Sequence, residues 1–232
     1  MEMGSRPRFV PIPVVVKWSV FLLNSNDSHL WSPHRDIFVE QFCENLFWTS
    51  DQFISAEKTQ ALLSWAKESE GLGLFRPAAI GKGAQKKQIS DIRSDQIHWL
   101  TEFTSNSGQM VHGLFDELQL IARQDLYLPA KRFECHFAKY ENGTFYKRHR
   151  DRHVNKPGRL LTCVIYLTSC SEAEGGQLLL WDKHSIEHVI RPESGRVVVF
   201  DSSLEHEVAK SLTDRWSLVG WIRSDLDPAI HI

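Results

Sequence analysis

From Arg132 onward the side chains alternate, and that alternation limits what the chain can fold into more than any other feature of its sequence. Apolar Phe133, Cys135 and Phe137 take turns with Arg132, Glu134 and His136, the period of two that sends successive side chains to opposite faces of a strand. Similar runs follow at Leu161–Leu167, Gly195–Phe200 and Arg215–Trp221, and Glu174-Gly175-Gly176-Gln177-Leu178 turns the chain into another. Upstream the period is helical. Asp51 and Ser55 offer caps for a helix to about Ser69, with Leu62, Trp65, Ala66 and Ser69 at helical spacing and Gly71 and Gly73 to end it. A second helix spans about Ser107 to Arg123, its buried stripe being Val111, Leu114, Phe115, Leu118 and Ile121. Two helices followed by about eight strands predict an α+β, mainly β chain: a double-stranded β-helix, or jelly-roll, braced by N-terminal helices.

At 232 residues a single domain is the default. The pattern places it at residues 50–228 and leaves residues 1–49 as an irregular extension without an assigned role. Phe9–Leu23 follows Arg6 and Arg8 and superficially resembles a signal peptide, but Lys17 interrupts it, prolines sit near its start and no small-residue cleavage site follows. It is also too short and broken for a membrane span. The formal charge of −2 argues against a general nucleic-acid binder. Cys43, Cys135, Cys163 and Cys170 have no metal-like spacing, so free thiols in a reducing, cytoplasmic compartment are expected. Ile80–Lys87 reads as a basic loop without the spacing of a phosphate-binding loop; it is either a solvated hairpin tip or a loop that covers substrate.

The chemistry gathers in the strand-rich half. His149-Arg150-Asp151 is followed fifty-five positions after the aspartate by His206, and nine further on by Arg215. Residues i and i+2 of a strand face the same way, so His149 and Asp151 can aim at one centre while a distant strand supplies His206. Two imidazoles and a carboxylate form the facial ligand set of a non-haem Fe(II) site with open coordination positions. One H-x-D pair alone says little, because ordinary surface strands contain many. Beyond His206, however, Arg215, Ser217, Val219 and Trp221 share one strand face. An arginine with a hydroxyl beside it grips a carboxylate through charge-assisted hydrogen bonds. Metal and anchor together describe a keto acid held at both ends.

Tyr140-Glu141-Asn142-Gly143-Thr144-Phe145-Tyr146-Lys147-Arg148 leads directly into His149. With it, the stretch from about Arg132 to Asp225 resembles the catalytic core of the 2-oxoglutarate- and Fe(II)-dependent oxygenases of the prolyl-hydroxylase type. Asp91-Ile92-Arg93-Ser94-Asp95-Gln96-Ile97-His98-Trp99 resembles the segment before that core in the oxygen-sensing (HIF-type) prolyl hydroxylases and their bacterial relatives. The likeness covers roughly residues 50 to 225. It implies that His149, Asp151 and His206 bind Fe(II) and that Arg215 holds the distal carboxylate of 2-oxoglutarate. Tyr166 would help at the same carboxylate and Tyr140 lie near the cosubstrate, with Ser217 as a further donor and Trp221 on the pocket floor. Arg93, Asp95 and the loop carrying Lys82 would shape the substrate entrance. The reaction implied consumes O2 and 2-oxoglutarate, releases succinate and CO2, hydroxylates a C–H bond and can draw on ascorbate as reductant. The resemblance further implies a protein substrate with a target proline hydroxylated at C4, a translation factor in the bacterial relatives. A free amino acid or small metabolite as substrate, and a non-catalytic sensor of 2-oxoglutarate and metal, are the alternatives. Nucleic-acid demethylases of the superfamily carry two arginines six apart; Arg215 and Arg223 are eight apart, and no nucleic-acid or membrane partner is expected.

Overall fold

A computed structural model describes residues 29–78, 91–152 and 158–225; the apolar run Phe9–Leu23 and the loop with Lys82, Lys86 and Lys87 lie outside the described residues. In chain order the elements are α1 (Arg35–Asn45), β1 (Phe47–Ser50), α2 (Ala56–Gly71), β2 (Arg76–Pro77), β3 (Gln96–Trp99), α3 (Asn106–Gln124), β4 (Arg132–Tyr140), β5 (Tyr146–His149), β6 (Arg159–Tyr166), β7 (Leu178–Trp181), β8 (Glu187–Ile190), β9 (Val197–Asp201), β10 (His206–Val208) and β11 (Arg215–Arg223). Seven strands form one sheet in the order β1-β9-β6-β11-β4-β3-β2, and four form a second in the order β5-β10-β7-β8. All the pairings are antiparallel. Two such sheets with helices on one outer face are the expected jelly-roll.

Alternation divides the larger sheet into two chemically different faces. Cys135, Phe137, Leu161, Cys163, Ile165, Val197, Val199, Trp216, Leu218 and Ile222 point toward the helices and join Leu62, Val111, Leu114, Phe115 and Leu118 in the main core. Burial of each such aliphatic or aromatic side chain contributes about 1.5–3 kcal/mol. Gly220 lies between Cys135 and Cys163 on the neighbouring strands. A Cβ there would run into the Phe115 ring of α3, so the missing side chain lets the helix seat against the sheet. Facing the smaller sheet, Ala138, Tyr140, Val164, Tyr166, Val198 and Phe200 pack against Leu178, Leu180, Ile190 and Val208. This inner face carries the site.

Three readings change. Helix α2 is capped by Ser55, whose hydroxyl accepts from Lys58 N; Asp51 pairs with Arg196 instead, at 2.5 Å. The stretch before residue 50, expected to be irregular, holds α1 and β1. Strand β1 pairs with β9, Phe47 opposite Phe200. Trp31, Phe38, Trp48 and Phe53 form an aromatic cluster with centroids 4.7–6.1 Å apart. Its members have no regular spacing, because they meet one another across a helix, a strand and a turn. Finally, β1, β2 and β3 extend the larger sheet ahead of the eight strands that begin at Arg132.

Candidate active site

His149 closes β5 and His206 opens β10, and the two strands pair with these residues directly opposite each other. Asp151 lies past the end of β5, in a bend, so strand alternation does not aim it as the i, i+2 reading supposed. Hydrogen bonds fix the bend instead. Arg152 N donates to Ser202 O at 2.8 Å, and the Arg152 guanidinium donates to Arg159 O and Leu160 O at 2.8 and 3.0 Å. His149 Nε2 then stands 3.9 Å from Asp151 Oδ1, and His206 Nε2 stands 3.5 Å from Oδ2. One ligand atom from each of the three residues falls within 4.8 Å of the others.

Both imidazoles are oriented from behind. Nδ1 of His149 lies 2.7 Å from Lys147 O, and Nδ1 of His206 lies 3.1 Å from Leu204 O. A carbonyl only accepts, so each Nδ1 donates its proton and each Nε2 lone pair faces the centre. Burial, followed by the neighbouring His206, pushes His149 down to about 3. The ring is therefore neutral at physiological pH, the form that ligates a metal. Burial on its own would push Asp151 up, but His206, Arg159, His149 and the Trp221 indole outweigh it and hold the carboxyl well below its usual range.

Asp151 is also held by hydrogen bonds, chiefly at one oxygen. Its Oδ2 accepts from the Thr162 hydroxyl and the Trp221 indole, both at 2.8 Å. Arg159 Nη1 approaches Oδ1 at 3.4 Å, and a hydrogen bond at 2.9 Å joins the Thr162 and Ser202 hydroxyls. Trp221, expected on a pocket floor, thus holds the carboxylate of Asp151. Thr162 was not singled out in the sequence, although it stands four positions from Tyr166 on the same face of β6.

Farther along the inner face lies a second polar group with the opposite character. Arg215 is 2% exposed, and its guanidinium stands 4.8 and 4.9 Å from the ring centroids of Tyr140 and Tyr166. Arg215 Nε, the Tyr166 hydroxyl and the Ser217 hydroxyl are buried without a hydrogen-bond partner among the described residues. Buried polar groups are nearly always paired; an anionic group bound here would serve all three, as the carboxylate of a keto acid does. The stem of Arg215 runs along Gly176, whose φ is +72°. A Cβ there would stand 3.1 Å from Arg215 Cδ and 3.2 Å from Ser211 Oγ.

Arg93 and Asp95 do not form a surface pair. Arg93 clasps Asp95 with two hydrogen bonds, 2.7 and 2.5 Å, and the Asp95 side chain is 0% exposed. Arg93 lies 4.3 Å over the Tyr146 ring, which stacks on His149 at 3.5 Å and 15°. The pair therefore reaches the cluster through Tyr146, a link that spacing did not reveal. Lys82 lies outside the described residues.

A jelly-roll bearing two histidines and a carboxylate on one side and a buried arginine pocket on the other defines a metal- and keto-acid-dependent oxygenase. Residues 135–223 match the family described as the 2OG-Fe(II) oxygenase superfamily. A Pseudomonas putida prolyl-4-hydroxylase of known structure superimposes with a TM-score of 0.74 and 30% identity, over 82% of this chain and 99% of that one. The chain belongs to the 2OG-Fe(II) oxygenase superfamily, dioxygenases that require Fe(II), 2-oxoglutarate and O2. It is also similar to the hypoxia-inducible factor prolyl hydroxylase of Caenorhabditis elegans, 30% identical over 71% of this chain but only 25% of that protein's length. A PKHD-type hydroxylase of Prochlorococcus marinus is 27% identical over 75% of this chain and 76% of its own.

Proposed function

We propose that this chain hydroxylates a prolyl residue of a protein substrate, converting 2-oxoglutarate to succinate and CO2. The observation that carries the reading is the space between the two sheets, which holds both the His149–Asp151–His206 cluster and the buried Arg215 Nε, Tyr166 hydroxyl and Ser217 hydroxyl that lack hydrogen-bond partners among the described residues. Prolyl hydroxylation is supported by two of the similar proteins, which bear that name. The same likeness makes a protein with a target proline the first substrate to try, a translation factor among them. A cytoplasmic location fits the four free thiols; no helix among the described residues is long and apolar enough to cross a membrane.

In this reading His149, Asp151 and His206 hold Fe(II), which with 2-oxoglutarate and O2 supplies the oxidant for the C–H bond. Arg215 holds the distal carboxylate by charge-assisted hydrogen bonds, with Tyr166 and Ser217 as further donors and Tyr140 packed beneath the guanidinium. Thr162 and Trp221 keep Asp151 in one rotamer, and Tyr146 fixes the plane of the His149 ring. Trp99, 5.9 Å from Trp221, and Tyr146 offer aromatic walls suited to a pyrrolidine ring. Arg93, held by Asp95, borders the entrance beside Tyr146.

Thermal melting with Mn(II) as a redox-inert substitute, with and without 2-oxoglutarate, tests the site without knowledge of the substrate. Ligand at about 100 times its dissociation constant stabilises by about 2.7 kcal/mol, a rise of about 5–10 °C for a chain of this size. The rise from 2-oxoglutarate should need metal and should vanish in Arg215→Ala. Its absence from the wild type would remove the oxygenase reading. If the rise is present, succinate release on proline peptides against free amino acids decides the substrate class.

A further inference from the structure

We infer that Glu134 is a positioning residue whose task is to keep Arg159 off the metal-binding oxygen of Asp151. The inference rests on Asp151 being a metal ligand. Since Thr162 and Trp221 engage Oδ2, Oδ1 is the oxygen left for a metal, and the cation nearest to it is Arg159, with Nη1 at 3.4 Å. A free guanidinium beside a carboxylate closes onto it in a two-pronged pair. Such a pair would cover both oxygens of Asp151 and compete with the metal for them.

Glu134 prevents that closure by occupying the prongs. On the inner face of β4, 8% exposed, it accepts from Arg159 Nε at 3.1 Å and from Nη2 at 3.0 Å. These two nitrogens form one of the two forked edges of the guanidinium, and holding that edge at Glu134 turns the group so that Nη1 alone is bonded to Asp151, at 3.4 Å. The guanidinium plane also lies 3.5 Å over Trp221. Glu134 accepts from Arg223 Nη1 as well, at 2.7 Å, but Arg223 has a second carboxylate in Asp225, at 2.8 and 2.5 Å. Without the Glu134 charge Arg223 keeps an anion, while Arg159 has Asp151 as its nearest remaining carboxylate. Glu134 also meets Arg132 at 3.5 Å, and Arg132 reaches Asp225 at 3.1 Å, so it too retains a partner.

Glu134→Gln preserves the shape and removes the charge. Mn(II) affinity, read by titration on the metal-free protein, should fall about 10-fold or more, while the melting temperature without metal changes little. The double variant Glu134→Gln/Arg159→Leu should regain affinity close to that of the wild type, because the competing cation is gone. A purely structural glutamate would not be rescued by deleting its partner. Unchanged affinity in Glu134→Gln would overturn the inference, as would a loss that the double variant does not repair. Failure of the wild type to bind Mn(II) would instead overturn the metal reading, and this inference with it. Should Glu134→Gln fail to fold, Arg159→Leu supplies the second route: with the competing cation gone, it should bind Mn(II) as tightly as the wild type, and adding Glu134→Gln to it should cost no further affinity. A double variant that binds Mn(II) more weakly than Arg159→Leu would overturn the inference.

Discussion

The two ends of the inner face solve opposite problems. Around Asp151 one oxygen is met and the other kept open: Thr162 and Trp221 donate to Oδ2, Ser202 backs Thr162, and Oδ1 has only Arg159 Nη1 at 3.4 Å. Around Arg215 three polar atoms, its Nε and the hydroxyls of Tyr166 and Ser217, are buried without hydrogen-bond partners among the described residues. A finished polar network rigidifies and costs little, whereas an unfinished one raises the free energy of the folded chain until something arrives to complete it. The first end is therefore built before its ligand. In the proposed reading the second exchanges some stability for the strength with which it would bind a carboxylate.

Substitutions can break this contrast, and the largest effect belongs to Asp151. Asp151→Ala should abolish both Mn(II)-dependent stabilisation and turnover. Retention of either would remove Asp151 from the ligand set. Next comes Arg215→Met, which should raise the 2-oxoglutarate requirement by the equivalent of about 2–5 kcal/mol. The ligand-free protein should melt at the same temperature or higher, because an incompletely paired buried cation is replaced by an apolar side chain. A marked drop in that melting temperature would mean that Arg215 is already satisfied and the two ends do not differ. Trp221→Phe should weaken Mn(II) about 10-fold, by freeing one oxygen of Asp151, and an unchanged affinity would show that the network around the carboxylate is dispensable.

The smallest effect concerns His136, opposite Val219 on β11 and Trp99 on β3, between the two ends. Burial, then the Arg93 charge, pushes it down to about 3 from 6.5. Between those values the unfolded chain binds the more protons, so stability rises with pH across that window and is lost as pH falls from 6.5 toward 3. The metal-free protein should thus melt lower on acidification below pH 6.5, and His136→Met should flatten the dependence. An equal slope in both proteins would assign it to other groups, His149 first.

What could be read from the sequence follows the range of the interactions involved. The alternation from Arg132 to Trp221 is local, and so is the aromatic and aliphatic stripe of α3, so the strands, the second helix and the sheet's two faces were legible. His149, Asp151, His206 and Arg215 were legible as chemistry, because few sets of residue types suit an open iron site and a keto acid. Residues 31–50 were not, since β1 is four residues long and its partner β9 lies far along the chain. Glu134 and Arg159 were equally hidden: each is an ordinary charged residue on a strand until β4, β11 and β6 stand side by side. Asp151 gives a more specific lesson, because its place in the cluster was reached by the wrong route. It is aimed by the hydrogen bonds of Arg152 in a bend, not by the pleat of a strand.

Gly176 sets a dimension that its lack of a side chain conceals. Because bare backbone lies alongside the Arg215 stem, the depth to which the guanidinium reaches is gauged by main-chain register, which substitutions elsewhere in the pocket leave untouched. A methyl group at this one position would act as a spacer, pressing on Arg215 Cδ at 3.1 Å and Ser211 Oγ at 3.2 Å, so that the stem of the arginine would have to give.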